Sequence, residues 1–100
     1  MTDRTKTHKD RRLTATFHGR VQGVGFRFTT VEIARNVDIR GYVQNLMDGS
    51  VKLVAEGAED DLNRFMRDLR DAHIYRYVTG EDVHWSDAKG EYTAFSIRYS

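Results

Sequence analysis

Leu13, Ala15 and Phe17 alternate with Thr14, Thr16 and His18, the period of a strand with one buried face. Gly19 to Gly25 then holds three glycines in seven residues, a loop that needs unusual backbone angles or a close approach. Val24, Phe28 and Val31 recur at i, i+4 and i+7, and Ala34 extends the stripe, predicting a helix that fades near Asn36. A second strand is predicted over Ile39–Asn45 and a third over Val51–Glu56, with Leu46-Met47-Asp48-Gly49-Ser50 as the hairpin between them. Gly57 ends the third strand. Glu59, Asp60 and Asp61 suit the positive end of a helix. Leu62, Phe65, Met66 and Leu69 give that helix an apolar face at i, i+3, i+4 and i+7. Beyond Ala72 the pattern blurs. A strand centred on Val78–Trp85 is interrupted by Gly80, Asp87–Gly90 reads as a turn, and Phe95, Ile97 and Tyr99 alternate into a last short strand.

The predicted order is strand, helix, strand, strand, helix, strand, with a short extra strand at the C-terminus. Two helices on one face of an antiparallel sheet make a two-layer α+β sandwich of the ferredoxin-like kind, βαββαβ.

One hundred residues suit one domain with one modest core. The hydrophobic share of 39% and charged share of 31% are those of a soluble globular chain, and no apolar run is long enough to cross a bilayer. The N-terminus lacks the apolar stretch of a secretory signal, and there is no cysteine, which removes disulfides and thiolate chemistry together. Both features fit a cytoplasmic location. Net charge is +1, unevenly placed: residues 1–12 carry five basic side chains against Asp3 and Asp10. With Met1 as its one apolar side chain, this stretch is expected to be a solvated basic tail, and the domain to occupy residues 13–100. Five cations without aromatics are a weak signal for nucleic acid.

Most catalytic kits are missing. There is no Gly-x-Ser-x-Gly elbow, and the glycine loop matches neither the P-loop nor Gly-x-Gly-x-x-Gly. His8, His18, His73 and His84 lack metal-ligand spacing and read as surface or strand-edge residues. The loop itself remains. A glycine-rich turn feeding a helix aims several backbone N–H groups and the helix's positive end at one point, where a phosphate fits. Arg27, in the helix's first turn, sits where the dipole disfavours a cation, and its guanidinium can grip two phosphate oxygens. On spacing alone two readings stay open: an anion site, or a tight strand-to-helix turn beside a solvated arginine.

The residues also match a known pattern. Gly19-Arg20-Val21-Gln22-Gly23-Val24-Gly25-Phe26-Arg27 resembles the acylphosphatase signature Gly-x-Val-Gln-Gly-Val-x-Phe/Tyr-Arg, and Gly41-Tyr42-Val43-Gln44-Asn45 resembles the family's Gly-aromatic-Val-x-Asn segment. Asp48-Gly49-Ser50-Val51 and Phe95-Ser96-Ile97-Arg98-Tyr99 also resemble family segments, so the likeness runs from Leu13 to Tyr99. The resemblance implies hydrolysis of acyl phosphates to a carboxylate and inorganic phosphate, without metal or cofactor. By position it implies that Arg27 binds the phosphate, that Asn45 positions the attacking water, and that the backbone of Val21, Gln22, Gly23, Val24 and Gly25 holds the phosphoryl oxygens. Many family members carry Gly-Pro between the second helix and the last hairpin, whereas this chain has no proline.

The rival from another class is a non-catalytic anion- or RNA-binding module on the same fold. Strand Val51–Glu56 has no aromatic for a base to stack on, which argues against RNA. A second rival, a domain feeding a larger maturation machine, is disfavoured by a chain ending at Ser100. The expected protein is a monomer whose partners are a small acyl phosphate and its phosphate product, with no membrane partner.

Overall fold

The alternation at the start of the chain becomes β1 (Arg11–Gly19), with Leu13, Ala15 and Phe17 fully buried. The computed structural model describes residues 9–99. Most of the tail expected over 1–12, with His8, therefore lies outside the described residues, but Arg11 and Arg12 open β1, two residues before the predicted domain start at Leu13. After β1 come α1 (Phe26–Ala34), β2 (Ile39–Asn45), β3 (Val51–Gly57) and α2 (Glu59–Asp71). A 3-10 turn (His73–Tyr77), β4 (Val78–Asp87) and β5 (Phe95–Arg98) complete the fold. The sheet order is β4-β1-β3-β2-β5. The four long strands pair antiparallel, as the ferredoxin-like reading expects, and the short β5 joins the free edge of β2 in parallel.

Both helices lie on one face. Leu62, Phe65, Met66 and Leu69 of α2 are buried as predicted and meet Phe17, Phe26, Val43 and Leu53 in a single core. At about 2 kcal/mol for each buried side chain, this packing outweighs the exposed Arg70–Glu81 pair at the end of α2, worth roughly 0.5 kcal/mol.

The buried face of α1 differs from the predicted stripe. The helix starts at Phe26, after Gly25 in the left-handed region, so Val24 belongs to the loop and not to the helix. Phe26, Thr30 and Ala34 are the buried positions, and Thr30 hides its hydroxyl by donating to the Phe26 carbonyl at 2.7 Å. Phe28 lies about 200° round the helix from Phe26 and is 65% exposed.

The interruption at Gly80 is a β-bulge. Pairing runs from His18↔Gly80 to Gly19↔Val78, leaving Thr79 as the extra residue, and β4 continues through it to Asp87. The blurred stretch before it is the 3-10 turn. His18 and His84 are exposed on strands, His18 bonding Asp82 at 3.0 Å. His73 bonds Arg76 on the surface.

Because β4 and β5 lie at opposite edges, residues 88–94 must cross the face away from the helices. Glu56 holds them there. Its carboxylate is 2% exposed, and accepts N–H bonds from Lys89 at 2.9 Å and Gly90 at 3.0 Å, with Arg12 at 2.8 Å. Burial works to raise the Glu56 pKa, but the Lys89 amide, Arg12 and the Gly90 amide together hold it below its ordinary value. Tyr92 packs edge-on to Tyr42 at 5.8 Å, so the crossing segment also covers the aromatic on this face.

A carboxyl held below its unfolded pKa stabilises the fold above that unfolded value, and the contribution is lost as pH falls through the folded value. Glu56→Gln is therefore expected to cost about 3 kcal/mol in urea unfolding at pH 7. The gap to the parent protein should shrink as pH drops below the ordinary glutamate value of 4.5.

Candidate active site

The segment between β1 and α1 is shaped by two residues that only glycine fits comfortably. Gly23 (φ 78°) and Gly25 (φ 88°) both adopt left-handed backbone, which turns successive N–H groups toward one side. Val21 anchors the segment by complete burial in the core. Among the described residues, no amide of 21–25 donates to a backbone or side-chain acceptor. These donors are free to serve a ligand.

Gln22 makes a second contribution through its side chain, separate from its backbone place in the loop. Its side-chain amide donates to the carbonyls of Leu46 at 2.7 Å and Ser50 at 2.8 Å. It thereby ties the loop to the β2–β3 hairpin. The hairpin is itself braced, since Asp48 accepts from both the hydroxyl and the amide of Ser50. Those two bonds, the hydroxyl first, hold the Asp48 carboxyl below its ordinary pKa. Val24 is half-buried against the core, so neither its side chain nor that of Gln22 lines the pocket.

One pocket of about 210 Å³ gathers the rest. Val21, Gly23, Gly25 and Arg27 line it from the loop and α1, and Asn45 from the end of β2. The predicted pair, Arg27 and Asn45, thus faces one space from two different elements. Asn45 shares the helix-side face of β2 with Val43, and its Oδ1 is buried without a hydrogen-bond partner among the described residues. Leaving such an acceptor unpaired costs about 1–3 kcal/mol. Among the described residues Arg27 has no carboxylate within salt-bridge range, and its guanidinium lies 5.3 Å from the Tyr99 ring.

Electrostatics favours an anion here. The first turn of α1 contains no acid and no side chain caps it, whereas α2 begins with Glu59, Asp60 and Asp61. The start of α1, the loop residues Val21, Gly23 and Gly25, and Arg27 all border one pocket. Among the described residues, no group of three histidine or acidic side chains is placed to hold a metal.

The acylphosphatase family model matches residues 13–97. The chain belongs to the acylphosphatase family. It is 41% identical to an acylphosphatase of Salinibacter ruber, over 93% of this chain and 98% of that one. The crystal structure of acylphosphatase from Bacillus subtilis superposes with a TM-score of 0.81 at 34% identity, covering 89% of this chain and 99% of that chain. The acylphosphatase fold also lies within full-length HypF in its phosphate- and nucleotide-bound form. That match has a TM-score of 0.83 at 28% identity and covers 95% of this chain but 12% of that one. The acylphosphatase assignment makes the protein a hydrolase of acyl phosphates, with a small acyl phosphate as substrate and phosphate as product.

Sequence reasoning missed four lining residues, Phe26, Phe28, Ile97 and Tyr99. Phe28 was assigned to the core stripe of α1. Ile97 and Tyr99 belong to a strand whose sequence does not reveal that it docks beside β2. The exposed aromatic directly after Arg27 was the available signal, since it falls off the face set by Phe26.

Removing the Gln22 tie is expected to free the loop from the hairpin. Gln22→Ala should lower stability by about 1–2 kcal/mol, the net worth of two hydrogen bonds, and speed amide hydrogen exchange in residues 46–50. Unchanged exchange there contradicts the tie.

Proposed function

We propose that the hydrolysis of acyl phosphates runs in this pocket, with Arg27 and the 21–25 amides holding the phosphoryl group and Asn45 orienting the water. The observation that carries the reading is the meeting, in one space, of a guanidinium without a carboxylate in salt-bridge range and a carboxamide oxygen without a hydrogen-bond partner among the described residues. Asn45 Oδ1 can accept a hydrogen bond from a water molecule, which leaves the water's lone pair free to point at phosphorus.

The chemistry explains why so few groups suffice. An acyl phosphate loses a carboxylate whose conjugate acid has a pKa of about 4, so the leaving group departs without protonation. In a loose transition state the water gives up little proton character before the P–O bond to the acyl group breaks. The work left is positioning and the stabilisation of charge on the equatorial oxygens. Arg27, the loop amides and the α1 terminus supply positive charge at those oxygens. The new bond joins the water oxygen to phosphorus, the acyl carboxylate leaves with the bonding pair, and the water protons end on phosphate and solvent.

The non-catalytic RNA-binding alternative is not favoured. On the face away from the helices β3 carries Lys52, Val54 and Glu56, and Tyr42 is 7% exposed beneath Tyr92 and Arg98. No helix among the described residues is long and apolar enough to cross a membrane. In this reading the protein is a cytoplasmic monomer that needs neither metal nor cofactor.

Arg27→Ala is expected to cut kcat/KM for acetyl phosphate by about 10³-fold or more, with the far-ultraviolet circular dichroism unchanged. Asn45→Ala should lower kcat about 10²-fold while phosphate still competes with substrate at a similar inhibition constant. Normal turnover in either variant refutes the assignment. Incubation with EDTA should leave the parent rate unaltered.

A further inference from the structure

The Arg27 guanidinium lies against a ring that cannot fix its own direction. Tyr99 is 74% exposed and stands one residue past the end of β5. β5 has only four residues and pairs with β2 alone, in parallel, so its own ladder holds it weakly. Phe95 anchors the near end of β5 against Phe65, with ring centroids 5.9 Å apart. Tyr99 lies at the other end, away from that anchor.

The far end is secured from the opposite face of the sheet. Ile97 and Tyr99 line the catalytic pocket, and Arg98 between them points to the other side. There its guanidinium lies 3.7 Å from the Tyr42 ring. Tyr42 meets Tyr92 edge-on at 5.8 Å, and Tyr92 lies 5.6 Å from the Arg12 guanidinium. Arg12 in turn bonds the buried Glu56 carboxylate at 2.8 Å and Glu91 at 2.6 Å. The same carboxylate accepts the Lys89 and Gly90 amides, so it also pins the segment that carries Tyr92. Contacts therefore run unbroken from Glu56 to Arg98, the residue covalently joined to the ring beside Arg27. Planar groups packed face to ring fix orientation as well as distance. Orientation matters at Arg27, because its fork must meet two phosphate oxygens at once.

We propose that Glu56 and Tyr92 are positioning residues for phosphoryl binding, acting from the far face of the sheet through Tyr42 and Arg98 to hold Tyr99 against Arg27. This role rests on Arg27 binding phosphate as described above. Neither residue lines the catalytic pocket, so neither touches substrate. Asn45 lies beyond the last β2–β5 pair, Gln44↔Arg98, and is paired to Val51 of β3 instead. The chain of contacts thus acts on phosphate binding more than on placement of the water.

Inorganic phosphate is the probe, used as a competitive inhibitor of acetyl phosphate hydrolysis by the full chain. Glu56→Gln and Tyr92→Ala are each expected to raise its inhibition constant about fivefold, measured where circular dichroism shows the variant folded. A purely structural role lowers kcat through the folded fraction and leaves that constant unmoved, because the surviving molecules bind as the parent does. In a Tyr99→Leu background, which should itself raise the constant, Glu56→Gln should add less than about twofold. A constant within about twofold of the parent in either folded variant overturns the role and leaves the phosphoryl reading standing. So does a full fivefold increment, about that of the single variant, on top of Tyr99→Leu. If Glu56→Gln does not fold, Tyr92→Ala carries both comparisons, since Tyr92 is half-buried outside the main core. Absence of both turnover and phosphate inhibition in the parent removes the phosphoryl reading and this role with it.

Discussion

Two hydrogen bonds from one carboxamide, Gln22 to the carbonyls of Leu46 and Ser50, keep the halves of this site in register. The loop belongs to the β1–α1 connection and Asn45 to the end of β2, so nothing in the local chain fixes their separation. A loop with left-handed glycines is intrinsically mobile, and ordering each of its residues costs on the order of 1–2 kcal/mol. The Gln22 bonds, at about 1 kcal/mol each, and the burial of Val21, at about 2 kcal/mol, offset a large part of that cost. The anchors bracket the loop's start and leave its amides unused by the protein. The loop can therefore be rigid and still have free donors.

Much of this was legible because the residues that set it are local. Ile39–Asn45 was found to the residue, since a run of strand formers ends where the hairpin's Asp-Gly turn begins. The apolar face of α2 also matched, because four spaced side chains agree on one direction. The face of α1 was misread because Val24 was counted as helical, and one residue of helix phase rotates the buried face by about 100°. That error hid Phe28. The bulge at Thr79 and the crossing segment at Glu56 have no local signature, since both follow from partners more than thirty residues away in sequence. The pairing of Arg27 with Asn45 came from matching two separated segments and not from either alone.

The two faces of the sheet are less independent than their chemistry suggests. The helix face carries the pocket, and the other carries a buried carboxylate that touches no pocket residue. Yet β5 reaches the edge of β2 only because residues 88–94 cross the second face, and Glu56 pins that crossing with two amides and Arg12. The Gly41 amide donating to Ala94 at 2.9 Å then sets the parallel register that brings Ile97 beside Val43. A buried pair of this kind adds little net stability over an apolar one, but it fixes one path for the chain. Here that path decides whether Ile97 and Tyr99 reach the pocket at all.

The pocket itself concentrates small local costs. Arg27 opposes the α1 dipole, at roughly 0.3–1 kcal/mol, where an acid or a capping residue would relieve the helix. Asn45 Oδ1 forgoes a protein partner in a buried place. Two glycines hold left-handed angles, and Phe28 keeps an aromatic ring in water. Each could be removed by one substitution without disturbing the core, because Phe26, Thr30 and Val43 carry the packing beside them. They share one address, so they are better understood together than as separate defects. A site complementary to a reacting group must leave its own groups short of partners until that group arrives. What the protein lacks in this pocket is a negative charge and a hydrogen-bond donor to one oxygen, and an acyl phosphate with its attacking water supplies both.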